Sequence, residues 1–206
     1  MIRWIAALVV ALSLTAPAQA GVEEGLAALE KGDMETAVKE FRAAAAHGDA
    51  EAAYHMGALH EQGNGVKRSE TEALKYYRQS AAAGDPNGQF GLGRFYHLGK
   101  GWLQKNPDEA VSLYTQAAEK GSIAAQYNLG MMFATGEGVA VAYGSNPDYV
   151  KAYKWFNIVQ RGVETDEDRA KIQESIDDVK KHMTAGQLER AEKMVNDWWA
   201  EFGKKG

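Results

Sequence analysis

The sequence AQYNLGMMFATGEGV, residues 125–139, contains the pattern on which the fold depends. It combines a glycine inside an apolar stretch, Gly130, with a Gly-x-Gly pair that begins six residues later. The same arrangement occurs upstream around Gly57 and Gly93, at spacings of 36 and 37 residues. The matching pairs are Gly63 and Gly65, Gly99 and Gly101, and Gly136 and Gly138. A period of this length indicates a repeat protein whose units stack into a solenoid.

A second set of positions follows the same period. An alanine is followed four residues later by an aromatic residue, as in Ala73 and Tyr77. Apolar spacings of three and four residues predict two amphipathic helices in each period. Glycine costs a helix interior about 1 kcal/mol relative to alanine, so we predict that the aromatic ring of the second helix packs against the glycine of the first. The pairs are Ala37 and Phe41, Ala73 and Tyr77, Ala110 and Tyr114, and Ala152 and Phe156.

Composition narrows the class of protein further. The chain of 206 residues has a formal net charge of −5, which argues against general nucleic-acid binding. It contains no cysteine, which excludes a disulfide scaffold, a cysteine nucleophile and a thiolate metal site. Glycine is frequent, with 22 residues, although the remaining pattern is helical. Turns with positive φ and close helix packing account for this combination.

The first twenty residues have the features of a secretory signal peptide. Arg3 precedes an apolar run at 4–14, and the sequence AQA at 18–20 offers small residues to a signal peptidase. We therefore expect cleavage between Ala20 and Gly21 and a periplasmic or secreted mature protein. An uncleaved anchor is the alternative, although the apolar run is shorter than the roughly 20 residues that span a membrane. No later segment is apolar enough to cross a membrane.

We predict an all-α fold, a right-handed α-solenoid of antiparallel helix pairs with C-terminal capping helices. A short N-terminal hairpin precedes three full repeats, and the third repeat contains an insertion at 141–146. Proline in Asn106-Pro107 and Asn146-Pro147 is expected in the first turn of a second helix. The boundaries are 1–20 for the signal peptide, 21–48 for the hairpin, 49–84, 85–121 and 122–162 for the repeats, and 163–206 for the cap.

The quoted stretch, together with the sequence KAYKWF at 151–156, resembles the Sel-one-like repeat family, which is related to tetratricopeptide repeats. The N-terminal hairpin is similar to a plain tetratricopeptide unit. The resemblance implies an α-helical superhelix that binds other proteins or envelope components. Three positions depart from the family pattern: His60 replaces a tyrosine, Trp102 stands where valine is usual, and the sequence VQR at 159–161 replaces an alanine pair.

Candidate binding residues follow from the repeat geometry. In stacked helix pairs the first helices usually line the concave face. On the tetratricopeptide analogy, Tyr54, Phe90 and Tyr127 form an aromatic ladder there, with Arg94 as its cationic centre and Met131 beside it. Aromatic and arginine side chains are favoured interface anchors. We expect a partner protein or peptide along these residues; the alternative is that the aromatic rings pack between adjacent repeats.

Catalytic and metal-binding patterns are weak in this sequence. The five histidines form no HExxH motif and the serines no GxSxG elbow, so we expect no catalytic site, metal or other cofactor. We interpret the chain as a non-enzymatic adaptor or regulator of a protein partner, such as a cell-envelope protein. Two alternatives stay open: a cell-envelope hydrolase, and an inhibitor or modulator of a cell-wall enzyme.

The adjacent Trp198 and Trp199 form a further candidate surface near the C-terminus. Because neighbouring residues of a helix point in different directions, we expect one indole to be buried and the other more exposed. The exposed indole marks either a partner or dimer surface. Plain packing of the cap is the alternative.

Overall fold

The computed structural model describes residues 16–138 and 146–202, with side chains from Gly21 onward. Within these ranges the chain forms ten α-helices and no strand. Residues 1–15 of the predicted signal peptide and residues 141–145 of the predicted insertion lie outside the described residues. The helices are α1 (Ala16–Glu30), α2 (Met34–Ala46), α3 (Ala50–Gln62), α4 (Glu70–Ala82), α5 (Pro86–Leu98), α6 (Pro107–Ala118), α7 (Ile123–Thr135), α8 (Tyr149–Gly162), α9 (Asp166–Lys180) and α10 (Ala185–Phe202).

The helices pack as a row of hairpins. Successive pairs are α1–α2, α3–α4, α5–α6 and α7–α8, and each pair stacks on the next. The first helices α3 and α5 also contact each other directly, and both α9 and α10 pack on α8 to close the array. The α-solenoid of helix pairs with a helical cap is therefore the observed fold.

Capping residues set the beginnings and ends of the repeat helices. The Asp49 carboxylate accepts a hydrogen bond from the Ala52 amide at 2.8 Å, and the Asp85 carboxylate accepts one from the Gly88 amide at 2.7 Å. These bonds satisfy amides that have no partner inside the helix. The first helices end at glycines with a left-handed backbone, which confirms the predicted role of the Gly-x-Gly loops. These glycines are Gly63, Gly99 and Gly136, with φ of 81°, 69° and 76°.

The glycines inside the first helices lie directly under aromatic rings, as predicted. A Cβ atom added to Gly57 would be 2.7 Å from the Tyr77 ring, and one added to Gly130 would be 2.6 Å from the Phe156 ring. Gly93 has the same relation to Tyr114, at 2.8 Å. The N-terminal hairpin repeats the contact with Gly25 and Phe41, at 2.6 Å. The absence of a side chain thus lets the two helices of each hairpin approach closely.

Trp102 does not take the place of the usual valine, which corrects the alignment assumed from the sequence. Leu103 fills that position, because Leu103 in this repeat and Val66 in the preceding repeat both pack half-buried against the core. Trp102 is one extra residue between Gly101 and the next helix cap, and it has a φ of 71°. A left-handed backbone costs a non-glycine residue roughly 1–2 kcal/mol.

Two further expectations are corrected by the structure. Pro147 precedes α8 instead of lying in its first turn, because Asp148 is the cap and accepts a hydrogen bond from the Lys151 amide at 3.0 Å. Pro107 does lie in the first turn of α6. Trp198 and Trp199 are both half-buried, since their rings contact each other at 4.8 Å and both pack against the C-terminal core. Cap packing therefore accounts for both indoles.

Candidate partner-binding groove

The predicted aromatic ladder lies at equivalent positions of the three first helices. Each ring packs against the aromatic residue of the second helix in its own repeat. The ring centroids are 6.1 Å apart for Tyr54 and Tyr77, 5.6 Å for Phe90 and Tyr114, and 6.0 Å for Tyr127 and Phe156. Tyr54 and Phe90 are half-buried, and Tyr127 is exposed. The ladder therefore combines packing inside each repeat with a surface open to solvent.

A different ring occupies the space between neighbouring repeats. Tyr77 on α4 is buried, and it contacts Gly57 of its own repeat and Gly91 of the next repeat. A Cβ atom added to Gly91 would be 2.7 Å from the Tyr77 ring. Packing between these two repeats thus uses the aromatic residue of the second helix, and the half-buried Tyr54 ring packs beside it.

Arg94 is held by an acidic residue of the preceding repeat. Its guanidinium donates a hydrogen bond to Glu61 at 2.8 Å and lies 6.0 Å from the centroid of the Phe90 ring. Glu61 also accepts hydrogen bonds from the Lys100 ammonium at 2.7 Å and the Tyr77 hydroxyl at 2.9 Å. The cation that the sequence places at the centre of the groove is thus part of an internal ion cluster, with its side chain still 35% exposed.

The electrostatics of Glu61 follow from this arrangement. Burial alone would raise the pKa of the Glu61 carboxyl group. The hydrogen bonds from Lys100 and Tyr77, together with the charge of Arg94, outweigh burial and hold that pKa below its ordinary value. Glu61 is therefore ionised at neutral pH. It connects α3 to α4, to α5 and to the loop that follows α5.

The third repeat presents the most exposed part of the groove. Tyr127 and Met131 are 40% and 41% exposed, and Ile123, one turn before Tyr127, is 41% exposed. These residues are four apart, so they lie along one face of α7. Ile123 was not among the residues predicted from the sequence, although its spacing from Tyr127 could have suggested it. Exposed large apolar residues that lie next to one another mark interaction surfaces.

A cavity of about 290 Å³ continues this surface towards the cap. Its apolar lining residues come from α7, α8, the residue after α8, and α9: Ile123, Ala124, Tyr127, Val159, Val163 and Ile172. Asp168 and Lys171 are its charged lining residues. The cavity is thus mainly apolar, with one acidic and one basic side chain in its lining.

The histidines of the described chain serve packing and ion pairing. His55 stacks on Phe41 with ring centroids 4.7 Å apart, and burial lowers the pKa of its imidazole. His97 lies 3.3 Å from Glu137, which also pairs with Lys105 at 2.7 Å. The hydrogen bond from Lys105 and, second, the one from His97 lower the pKa of Glu137. Within the described ranges no three histidine or acidic side chains are grouped to hold a metal ion.

None of the helices in the described ranges is both long and apolar enough to cross a bilayer.

Stacked helix hairpins of this kind define a helical-repeat fold. The Sel1 repeat model matches residues 50–85, 86–122 and 123–158. The chain therefore belongs to the Sel1 repeat family, whose fold is commonly a protein-interaction scaffold and generally not catalytic. Comparison with curated proteins gave no match.

Solved structures of bacterial proteins show the same architecture. One is c5321, described as a protective antigen present in uropathogenic Escherichia coli strains and displaying an SLR fold. It is 27% identical with a TM-score of 0.69, and the alignment covers 89% of this chain and 41% of that chain. Another is a Sel1 repeat protein from Oxalobacter formigenes, which is 33% identical with a TM-score of 0.61 over 72% of this chain and 60% of that chain. The chain thus spans less than two thirds of either protein.

Proposed function

We propose that this protein is a periplasmic or secreted adaptor that binds a partner protein or peptide on the inner face of its solenoid. The partner lies along Tyr54, Phe90, Arg94, Tyr127 and Met131. The observation that carries the proposal is the exposure of Tyr127 and Met131 on α7, each about two fifths exposed although both are large and apolar. A solvated stripe of this kind stabilises a complex when a partner covers it.

The five residues have different roles in this proposal. Tyr127 and Met131 are the anchors, because a partner would remove the largest apolar area from water there. Tyr54 and Phe90 continue the surface towards the N-terminus as half-buried rings. Arg94 keeps its bond to Glu61 and offers its remaining donors to a carbonyl or carboxylate of the partner.

An exported location is part of the proposal. It is supported by the charged start, apolar run and small residues of 1–20. A related structure, c5321, is described as a protective antigen, which agrees with export of such repeat proteins. An inhibitor or modulator of a cell-wall enzyme would use the same groove, so that alternative is compatible with the proposal.

The test is capture from envelope extract, followed by direct binding. A photo-reactive residue in place of Met131 identifies the partner segment, and a synthetic peptide of that segment is titrated onto the purified protein. We expect Tyr127→Ala combined with Met131→Ala to weaken peptide binding about thirty-fold or more, since interface anchors contribute at least about 2 kcal/mol.

The matched control changes two exposed residues of second helices, Lys75→Ala and Ser112→Ala, and should bind like the unmodified protein. Tyr54 and Phe90 are left unchanged, because their rings support Tyr77 and Tyr114. The groove proposal fails if the Tyr127 and Met131 variant captures and binds the same segment with unchanged affinity.

A further inference from the structure

The chain contains two Asn-Gly dipeptides, and the fold places them in opposite environments. Asn64-Gly65 lies in the loop between α3 and α4, where both residues are exposed. Asn87-Gly88 lies in the first turn of α5, where Asn87 is exposed and Gly88 is buried. An asparagine that precedes glycine loses its side-chain amide readily, because glycine has no side chain to hinder attack by its own backbone nitrogen.

The reaction needs only the chain and solvent. The backbone nitrogen of Gly65, after losing its proton to hydroxide, attacks Cγ of Asn64 and forms a new C–N bond. The bond between Cγ and Nδ2 breaks, and the amide nitrogen leaves as ammonia with a proton from water. Water then opens the resulting succinimide at either carbonyl carbon, which gives aspartate or isoaspartate. No electron is transferred to or from the chain.

The Gly65 nitrogen is available for this attack. Its N–H donates no hydrogen bond to another residue in the described part of the chain. The two preceding amides, those of Gly63 and Asn64, instead close α3 by bonding to the Leu59 carbonyl at 2.8 and 3.1 Å. The Asn64 side chain donates a hydrogen bond to the exposed Gln62 at 2.7 Å. Attack on Cγ therefore breaks no hydrogen bond of the Gly65 amide within the protein.

The Gly88 nitrogen is blocked by the cap of α5. Its N–H donates a hydrogen bond to the Asp85 carboxylate at 2.7 Å, and a bond to a charged acceptor is a strong one. The negative charge of Asp85 also opposes the loss of the amide proton. Gly88 is packed against Ser80 of α4, so the start of α5 must open before a ring can form there.

The backbone of Gly65 is also a packing surface. It has a φ of 69°, and an added Cβ atom would be 3.0 Å from Met34 and 3.1 Å from Val38. Both residues lie on α2, so the loop of the first repeat contacts the N-terminal hairpin here. Isoaspartate continues the chain through its side-chain carbon, which inserts a methylene group into the backbone before Gly65. Ordinary aspartate keeps the length of the backbone and adds only a charge.

We propose that Asn64 is a self-modification site, and that its conversion to isoaspartate loosens the junction between the N-terminal hairpin and the first repeat. The rate rises with pH, because the Gly65 amide must lose its proton before it attacks. The site is separate from the groove, since Asn64 is not one of the groove residues.

The test incubates the purified protein at neutral and mildly alkaline pH and maps its peptides by mass spectrometry. The exchange of an amide for a carboxyl group is read from the peptide mass, and fragmentation separates isoaspartate from aspartate. The same incubation in urea measures the intrinsic reactivity of both dipeptides in the unfolded chain. Asn64→Gln is the matched variant, because its longer side chain would have to close a larger ring.

In the folded protein we expect Asn64 to react at least about tenfold faster than Asn87, because Gly88 must first leave its charged acceptor. The two dipeptides should react at comparable rates in urea. The rate at Asn64 should rise with pH, and the Asn64→Gln variant should stay unmodified at that position over the same time.

Hydrogen exchange then measures the junction itself. The isoaspartate form is isolated by anion exchange, since it carries one more negative charge than the unmodified protein. Backbone amides of α2 around Met34 and Val38 should exchange faster in this form. Asn64→Asp carries the same charge without the added methylene, so its α2 amides should exchange like those of the unmodified protein.

Four results would overturn the inference. They are an Asn64 that reacts in urea but not in the folded protein, an Asn87 that reacts as fast as Asn64 when folded, an isoaspartate form whose α2 exchanges like the unmodified protein, and an Asn64→Asp variant that exchanges as fast as the isoaspartate form. Partner binding through Tyr127 and Met131 is measured separately, so none of these results decides the groove proposal.

Discussion

The aromatic residue at the centre of each repeat has a different polar environment. The Tyr77 hydroxyl donates a hydrogen bond to Glu61 at 2.9 Å. In the next repeat, the Tyr114 hydroxyl is buried and has no hydrogen-bond partner among the described residues. The position of Glu61 is taken there by His97, whose ring meets Tyr114 edge-on at 6.2 Å. The third repeat has Phe156 and needs no partner.

This difference predicts opposite effects of one chemical change. Tyr77→Phe should lower the free energy of unfolding by about 1–2 kcal/mol, because a hydrogen bond to a charged acceptor is lost. Tyr114→Phe should leave the free energy of unfolding unchanged or raise it, because it removes an unpaired buried hydroxyl. Urea unfolding of both variants measures this. Equal losses in the two variants would contradict the assignment of hydrogen bonds.

Glu61 predicts how stability responds to acid. Its pKa is held below the ordinary value in the folded state, so the folded protein binds this proton less readily than the unfolded chain. The stabilisation is present above the ordinary carboxyl pKa of about 4.5 and is lost as the pH falls below it. Glu61→Gln should therefore be less stable than the unmodified protein at pH 7, with the difference shrinking towards pH 3.

Thermal unfolding at several pH values measures the effect of Glu61. The control is Glu72→Gln on the exposed side of α4, where the partner Lys75 is 3.9 Å away and both side chains are solvated. The control should follow the pH dependence of the unmodified protein. A constant difference between Glu61→Gln and the unmodified protein from pH 7 to pH 3 would contradict the ion cluster.

At the scale of the helix, close packing outweighs intrinsic propensity. Gly130 lies in the middle of α7, where alanine would favour the helix by about 1 kcal/mol. The ring of Phe156 occupies the space that a side chain would need. A glycine lies under an aromatic ring in α1, α3 and α5 as well. The distance between the two helices of each hairpin therefore depends on the missing side chain.

One glycine in α7 and one in α10 predict changes of opposite sign in the free energy of unfolding when each is replaced by alanine. In Gly130→Ala the new Cβ atom would be 2.6 Å from a Phe156 ring carbon, so the ring must move, and we expect a loss of about 1–3 kcal/mol. Gly186 has no atom within 4 Å of an added Cβ, and Gly186→Ala should gain up to about 1 kcal/mol. Thermal or urea unfolding gives both values, and a gain in Gly130→Ala would contradict the packing.

At the scale of the whole molecule, the predicted cleavage of a signal peptide affects the first hairpin. The predicted cleavage point, between Ala20 and Gly21, falls within α1. Gly21 and Val22 are both buried, and a Cβ atom added to Gly21 would be 3.4 Å from Ala44 on α2. Cleavage at this point would keep the contact of Gly21 with Ala44 and the burial of Val22.

The predicted cleavage defines the first residue of the exported protein. We expect the protein recovered from the exported fraction to begin at Gly21, measured by intact mass and N-terminal sequencing. Ala20→Phe should block cleavage, since signal peptidase requires a small residue there. Glu23→Ala, an exposed change just beyond the site, should be cleaved normally. Exported protein that still begins at Met1 would favour the uncleaved anchor.

Local signals in the sequence account for most of the fold. The 36- and 37-residue spacings, the polar caps and the left-handed glycines define where each helix begins and ends. The contacts between helix glycines and aromatic rings were also predictable, because both members recur at matched positions. Aligning the repeats by sequence gave the wrong position for Trp102, because one residue is inserted in that loop. It also gave the wrong position for Pro147, because Asp148 caps α8 one residue later.

The sequence by itself determined a helical-repeat protein with paired helices and the positions of its candidate groove, since helix periodicity and turn chemistry are recorded in neighbouring residues. The tertiary structure alone decided which of those positions are open to solvent. Arg94 bonds to Glu61, 33 residues earlier, and Tyr127 is exposed where Tyr54 is half-buried. The physical reason is that exposure and ion pairing depend on how successive hairpins stack, which brings distant residues together.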